Sequence, residues 1–234
     1  HNSGSVLNLN GTKIVYNHAE DNGGGIYIDD DNCLVNMSNS EISHNFACDD
    51  GGGIYSNDVK TTIKMSDGSK IEYNSADAGA GIYFNYAQFV LKSEDATASI
   101  SYNQATSGDG GAIHIQHDRS WLFFGNTNSG SIYSISFDEN TASGYGGAIY
   151  IQQESVVVSG CKITNNSAQY GGGIYVNNDL NSVSGCTITG NRVISAGGGI
   201  YTSSMNDFAL SGKVIIKDNK RSDNSADDLF LNST

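Results

Sequence analysis

The stretch Gly23-Gly24-Gly25-Ile26-Tyr27 decides the fold, because it keeps returning. GGGIY recurs at 51–55, 171–175 and 197–201, with near copies GAGIY at 79–83, GGAIH at 110–114 and GGAIY at 146–150. Aligned on the Ile, the seven copies stand 28, 28, 31, 36, 25 and 26 residues apart. A second landmark precedes each copy: an apolar residue, two variable positions, then Asn. Its Asn residues are Asn17, Asn45, Asn74, Asn103, Asn140, Asn166, Asn191 and Asn219, which makes eight units. Ala follows two places later in six of them. The eighth unit has no glycines, and Leu229 and Phe230 take the Ile and Tyr places.

A third segment lies upstream of each Asn motif, as in VLNL at 6–9, LVNM at 34–37 and VVVS at 156–159. Short alternating apolar runs bounded by Gly, Asn, Asp and Ser read as strands. No window carries a helical apolar period. Repeats of this length made of strand and turn predict a solenoid, since propeller blades need about 40–50 residues each. The expectation is an all-β parallel β-helix, one domain over 1–234, of about eight three-strand coils. It carries an insertion near 116–130 and a divergent last coil near 208–234.

Strand alternation assigns the columns. The Ile column points inward. The next column, Tyr27, Tyr55, Tyr83, His114, Tyr150, Tyr175 and Tyr201, points outward. It is either a self-stacked strip that supports the sheet or a platform for sugar rings or a partner protein. The position three before the Ile is glycine in all seven copies: Gly23, Gly51, Gly79, Gly110, Gly146, Gly171 and Gly197. Such repetition implies a corner with φ > 0 that other residues adopt only at a cost. The Asn column reads as a structural ladder, because stacked amides can bond to one another and to turn backbone.

The two landmarks, with GGAI at 110–113 and 146–149 and FDEN at 137–140, resemble the GGAI/FxxN repeat of chlamydial-type polymorphic outer membrane proteins. The resemblance covers nearly the whole chain. It implies a right-handed parallel β-helix on a cell surface, often in an adhesin or autotransporter passenger, with no catalytic residues to carry over. This sequence departs from the pattern in having Ile in place of most of the Phe residues, and it contains no translocating barrel.

The chain has 234 residues, 29 Gly, no Pro and a formal charge of −13. That charge argues against nucleic acid and against an anionic membrane surface as partners. No apolar run is long enough to span a membrane, and the start, His1-Asn2-Ser3-Gly4, does not read as a signal peptide. Asp21, Asp49 and Asp77 each lie five before an Ile. On stacked coils they form a solvated corner or a calcium site; no other cofactor is implied. The insertion holds Arg119, Trp121 and Phe123, as a recognition loop or as a hairpin packed on the rod. Cys161 and Cys186 share one phase of adjacent coils and could form a disulfide or a buried thiol ladder. No Cys/His set has zinc spacing.

The leading functional expectation is a non-catalytic, extracellular or cell-surface adhesin that presents a rigid rod to a host, glycan or neighbouring-cell partner. A spacer or end-to-end assembling unit of a longer surface protein is the first alternative. A polysaccharide-active enzyme is the second, disfavoured because the basic residues are scattered and none recurs in a column facing the aspartate row.

Overall fold

In the computed structural model, residues 4–29, 32–57, 60–85, 88–116, 129–179, 181–203 and 208–231 are described. The first coil sets the plan with four strands, β1 (Val6–Asn10), β2 (Lys13–Val15), β3 (His18–Ala19) and β4 (Ile26–Ile28). Each founds a parallel sheet of eight strands, one strand per coil. Helices are absent among the described residues. Pairing is in register through the stack: Ile26 opposes Ile54, Ile54 opposes Ile82, and Ile82 opposes Ile113.

The coil therefore has four strands where the sequence predicts three. The extra one is the two-residue β3 and its equivalents, which include Ala19, Ala47, Ala76, Ala105 and Ala142. A two-residue strand is too short to show a period of two, so alternation could not reveal it. Its Ala column suits a narrow coil. Ala47, Ala76 and Ala80 pack as one cluster, and Ala105, Ala142 and Ala168 as another.

The core runs the length of the rod. Ile54, Ile82, Ile113, Ile149, Ile174 and Ile200 are fully buried, as are Ile42, Ile71, Ile100, Phe137, Ile163 and Ile188 on the β2 sheet. Each such side chain contributes about 1.5–3 kcal/mol of burial. Beside this core runs the Asn ladder. The backbone N and Nδ2 of Asn74 both donate to Asn103 Oδ1 at 3.0 Å, and those of Asn103 donate to Asn140 Oδ1 at 3.0 Å. Asn103 Nδ2 also donates to the Ile71 carbonyl of the coil above, at 3.0 Å. The ladder ends on a carboxylate: Asn219 N and Nδ2 donate to Asp228 Oδ1 at 3.0 and 2.9 Å. The divergent last coil reaches this position by folding back. Lys220 and Ala226 form an antiparallel bridge, and Arg221 Nε meets Asp227 Oδ2 at 2.6 Å.

Candidate functional site

Two aromatic ladders climb the rod, and the site question is which one meets solvent. The first is the GGGIY tyrosine column. Its rings point away from the core and stack, with centroids 5.2 Å apart for Tyr27–Tyr55, 5.3 Å for Tyr55–Tyr83, 4.5 Å for Tyr83–His114 and 4.8 Å for Tyr175–Tyr201. Outward direction does not make them exposed. Tyr55, Tyr83, His114, Tyr150, Tyr175 and Tyr201 are all buried, and the exposed rings are at the two ends of the ladder, Tyr27 in the first coil and Phe230 in the last.

The glycine corner is what covers them. All seven glycines three before the Ile have φ between 54° and 73°. This left-handed turn lays the preceding residues across the rings. Ala78 packs on Tyr55 and Tyr83, and Ala196 and Tyr170 pack on the Tyr150–Tyr175–Tyr201 group. The Tyr145 ring lies tilted against Tyr175, with centroids 4.6 Å apart. There is no room for a side chain at the turn: a Cβ on Gly51 would lie 2.6 Å from the Ile54 carbonyl and 2.8 Å from Tyr55 Cβ. Of the two readings of this column, the self-stacked strip fits the burial, and the open platform does not.

Burial also retunes the groups under this cover. It pushes the Tyr83 and Tyr150 phenols far up and Tyr175 to about 12. It raises the Asp50 carboxyl to about 6 and also raises Asp109, while the buried His114 imidazole falls to about 4. Each shift has desolvation of the charged form as its first cause. These groups are already engaged. The Asp50 carboxyl faces the Ala78 backbone and Tyr83, whose Oη donates to Gln116 Oε1 at 3.1 Å. Asp109 Oδ1 accepts from Tyr145 N at 2.7 Å, and His114 Nε2 lies 3.0 Å from Gln116 Oε1.

The second ladder lies on another corner. The residue just before each ladder Asn adopts the left-handed conformation in every coil: Tyr16, His44, Tyr73, Tyr102, Glu139, Asn165, Gly190 and Asp218, with φ between 53° and 71°. For an L-residue this conformation costs about 1–2 kcal/mol, and Asn, Asp and Gly tolerate it best. Three of the last four coils use those types. The first four use Tyr, His, Tyr and Tyr. Their rings stack at 4.8 Å for Tyr16–His44, 5.0 Å for His44–Tyr73 and 4.7 Å for Tyr73–Tyr102. This ladder is open to water: Tyr16 is 75% exposed, Tyr73 46% and Tyr102 38%, and His44 is exposed as well.

Polar groups flank the exposed rings. Lys13 Nζ meets Glu41 Oε2 at 2.8 Å, His44 Nδ1 lies 3.2 Å from Ser43 Oγ, and Tyr102 Oη donates to Glu139 Oε1 at 3.4 Å. The result is a ridge with apolar ring edges, phenol hydroxyls and fixed charges side by side. The sequence signal was present at 28-, 29- and 29-residue steps, but it sits in a motif position that varies from coil to coil.

The other candidates separate cleanly. Asp21, Asp49 and Asp77 are exposed and in line, but their carboxylate oxygens are not among the described donor groups gathered within 4.8 Å. Asp77 Oδ1 instead accepts from Ser107 Oγ at 2.5 Å. Cys161 and Cys186 are both free thiols in a buried ladder, with Cys161 N donating to Cys186 Sγ at 3.3 Å. The contact with Cys186 and burial push the Cys161 thiol well up. Arg119, Trp121 and Phe123 lie outside the described residues.

Across residues 88–234, more than half of the chain, the sequence matches the right handed beta helix region family. The chain belongs to the right-handed β-helix family. Membership gives the hand of the coil and agrees with the four parallel sheets. It leaves activity open, because the family includes pectate-lyase-like enzymes as well as non-enzymes. Searches of curated proteins and of solved structures found no match for the chain.

Proposed function

We propose that this β-helix is a non-catalytic, adhesin-like rod of a secreted or cell-surface protein, and that it binds a glycan or protein partner through the Tyr16–His44–Tyr73–Tyr102 ridge. The observation that carries the reading is the exposure of four stacked rings on a rigid corner that the later coils fill with Glu139, Asn165, Gly190 and Asp218. Tyrosine gives contact area, a hydroxyl and little entropy to lose, which is why it is enriched where partners meet. The resemblance to polymorphic outer membrane protein repeats supports a surface location. The net charge of −13 favours a neutral or basic partner.

Glycan-array and cell-adhesion binding by the chain tests the reading. Binding should be lost when Tyr16, Tyr73 and Tyr102 are replaced together by Ser, and kept in Tyr201→Phe. Unchanged binding by the triple variant sinks it.

A second reading, end-to-end assembly or spacing, rests on the end coils. A cavity of about 210 Å³ at one end is lined by Val6, Leu7, Tyr27 and Leu34. One of about 260 Å³ at the other is lined by Phe208, Leu210, Leu229 and Leu231. Light scattering across concentration tests it, with a mass that stays monomeric counting against it. The enzymatic alternative is the weaker one, because the retuned carboxyls of Asp50 and Asp109 are tied to neighbouring backbone.

A further inference from the structure

The strongest unassigned cluster lies on the outer face of the first two coils. His18 lies in β3 and Glu20 follows at the bend just past it, with Oε1 of Glu20 3.7 Å from Nε2 of His18. The second coil brings Cys48 to the same place. His18 pairs with Phe46 and Ala19 with Ala47, and Cys48 N donates to the Ala19 carbonyl at 3.1 Å, which sets Cys48 beside Glu20. The His18 ring rests against the Phe46 ring at 4.9 Å, which limits where the imidazole can turn.

The three donor atoms converge. Cys48 Sγ lies 3.9 Å from His18 Nε2, and His18 Nε2 lies 3.7 Å from Glu20 Oε1. All three donors are within 4.8 Å of one another, and all three residues are exposed. Around a tetrahedral zinc ion, bonds of about 2.0–2.3 Å hold such donors roughly 3.3–3.5 Å apart. Closing the difference needs only small side-chain rotations on a fixed backbone.

We propose that His18, Glu20 and Cys48 form a zinc-class metal site that clamps the first coil of the rod to the second. One thiolate, one imidazole and one carboxylate are a borderline-soft donor set; calcium and magnesium would decline the sulfur and nitrogen. Three protein ligands leave a fourth position for water. On binding, the Cys48 S–H bond gives its proton to solvent as the sulfur–metal bond forms, with no change in oxidation state. The acidic residues Asp21, Asp49 and Asp77 lie near the sulfur and attract cations towards it. The ligands span two coils at positions 18, 20 and 48, so no short spacing motif announces them.

Cys48 is the one exposed cysteine of four, with Cys33, Cys161 and Cys186 buried. A thiol reagent such as DTNB therefore reads it selectively in the folded chain. The test uses reduced full chain with stoichiometric Zn²⁺ or Co²⁺. Zinc should slow DTNB labelling of Cys48 at least about tenfold. It should also raise the thermal midpoint, because it binds the folded state. Cobalt should give a thiolate-to-metal absorption band. Cys48→Ser should abolish the band, and His18→Ala should weaken zinc affinity at least about tenfold. A His1→Ala variant should retain both signals. The proposal is overturned if zinc leaves the labelling rate unchanged, if no band appears, or if His18→Ala binds like the parent chain.

Discussion

The two aromatic ladders are built from the same residue types on the same scaffold, and they have opposite fates. Tyr83 stacks between Tyr55 and His114 and is 7% exposed, whereas Tyr73 stacks between His44 and Tyr102 and is 46% exposed. Both point away from the core. The difference is the turn beside each. A glycine in the left-handed region folds the preceding chain over the first ladder. At the second, the ring-bearing residue is itself left-handed, and its ring stays exposed. Burial on a solenoid is thus decided at the corners as much as along the strands.

The largest effect that would break this comparison is on stability. Tyr83→Ala should cost about 3–5 kcal/mol, the usual penalty for emptying a buried aromatic site. Chemical denaturation of variant and parent reads it; a loss below about 1 kcal/mol would mean that the ladder is not packed as described.

Next comes the Asn ladder that separates the two corners. Asn103→Ala removes the acceptor that Asn74 uses twice, together with the amide that reaches Asn140 and Ile71. Leaving these buried groups unpaired should cost about 3 kcal/mol or more, measured in the same way.

A comparable but pH-dependent effect belongs to His114. Its folded value of about 4 lies below the ordinary 6.5 because burial penalises the imidazolium. The unfolded chain binds more protons in that window, so this contribution is full above pH 6.5 and is lost as pH falls towards 4. It amounts to about 3 kcal/mol at most. Asp50 acts with the opposite sign. Its folded value of about 6 exceeds the ordinary 3.8, so its contribution is full below 3.8 and lost as pH rises through 6. Because the two windows overlap with opposite signs, the melting temperature relative to the parent should fall as pH rises from 4 to 7 in His114→Phe and rise over the same range in Asp50→Asn. Parallel curves for either variant and the parent would contradict the burial described for that residue.

The smallest stability effect should be at the exposed ladder. Tyr73→Ser should change stability by no more than about 0.5–1 kcal/mol, as at other surface positions. A penalty as large as that of Tyr83→Ala would erase the distinction between the corners.

Much of this architecture was legible in the sequence. The Ile, Asn and Gly columns announced the coil, its core and its left-handed corner, because each is nearly invariant from unit to unit. The β3 strand was not legible, since His18–Ala19 is too short to alternate. The cover over Tyr83 was hidden for another reason: alternation tells which way a side chain points, not what the next turn lays upon it. The column of Tyr16, His44, Tyr73 and Tyr102 is Tyr-dominated in the sequence, but its exposure is not legible there, and Glu139, Asn165, Gly190 and Asp218 complete it in the later coils. The His18, Glu20 and Cys48 cluster needed the register between coils.

The most direct measurement is partner binding by two variants side by side, on glycan arrays and on cells. One carries Ser at Tyr16, Tyr73 and Tyr102; the other carries Phe at Tyr150, Tyr175 and Tyr201. With both variants folded, the account predicts that the first loses binding and the second keeps it. Binding lost only in the second, or kept in both, would contradict the assignment of the exposed corner as the contact surface.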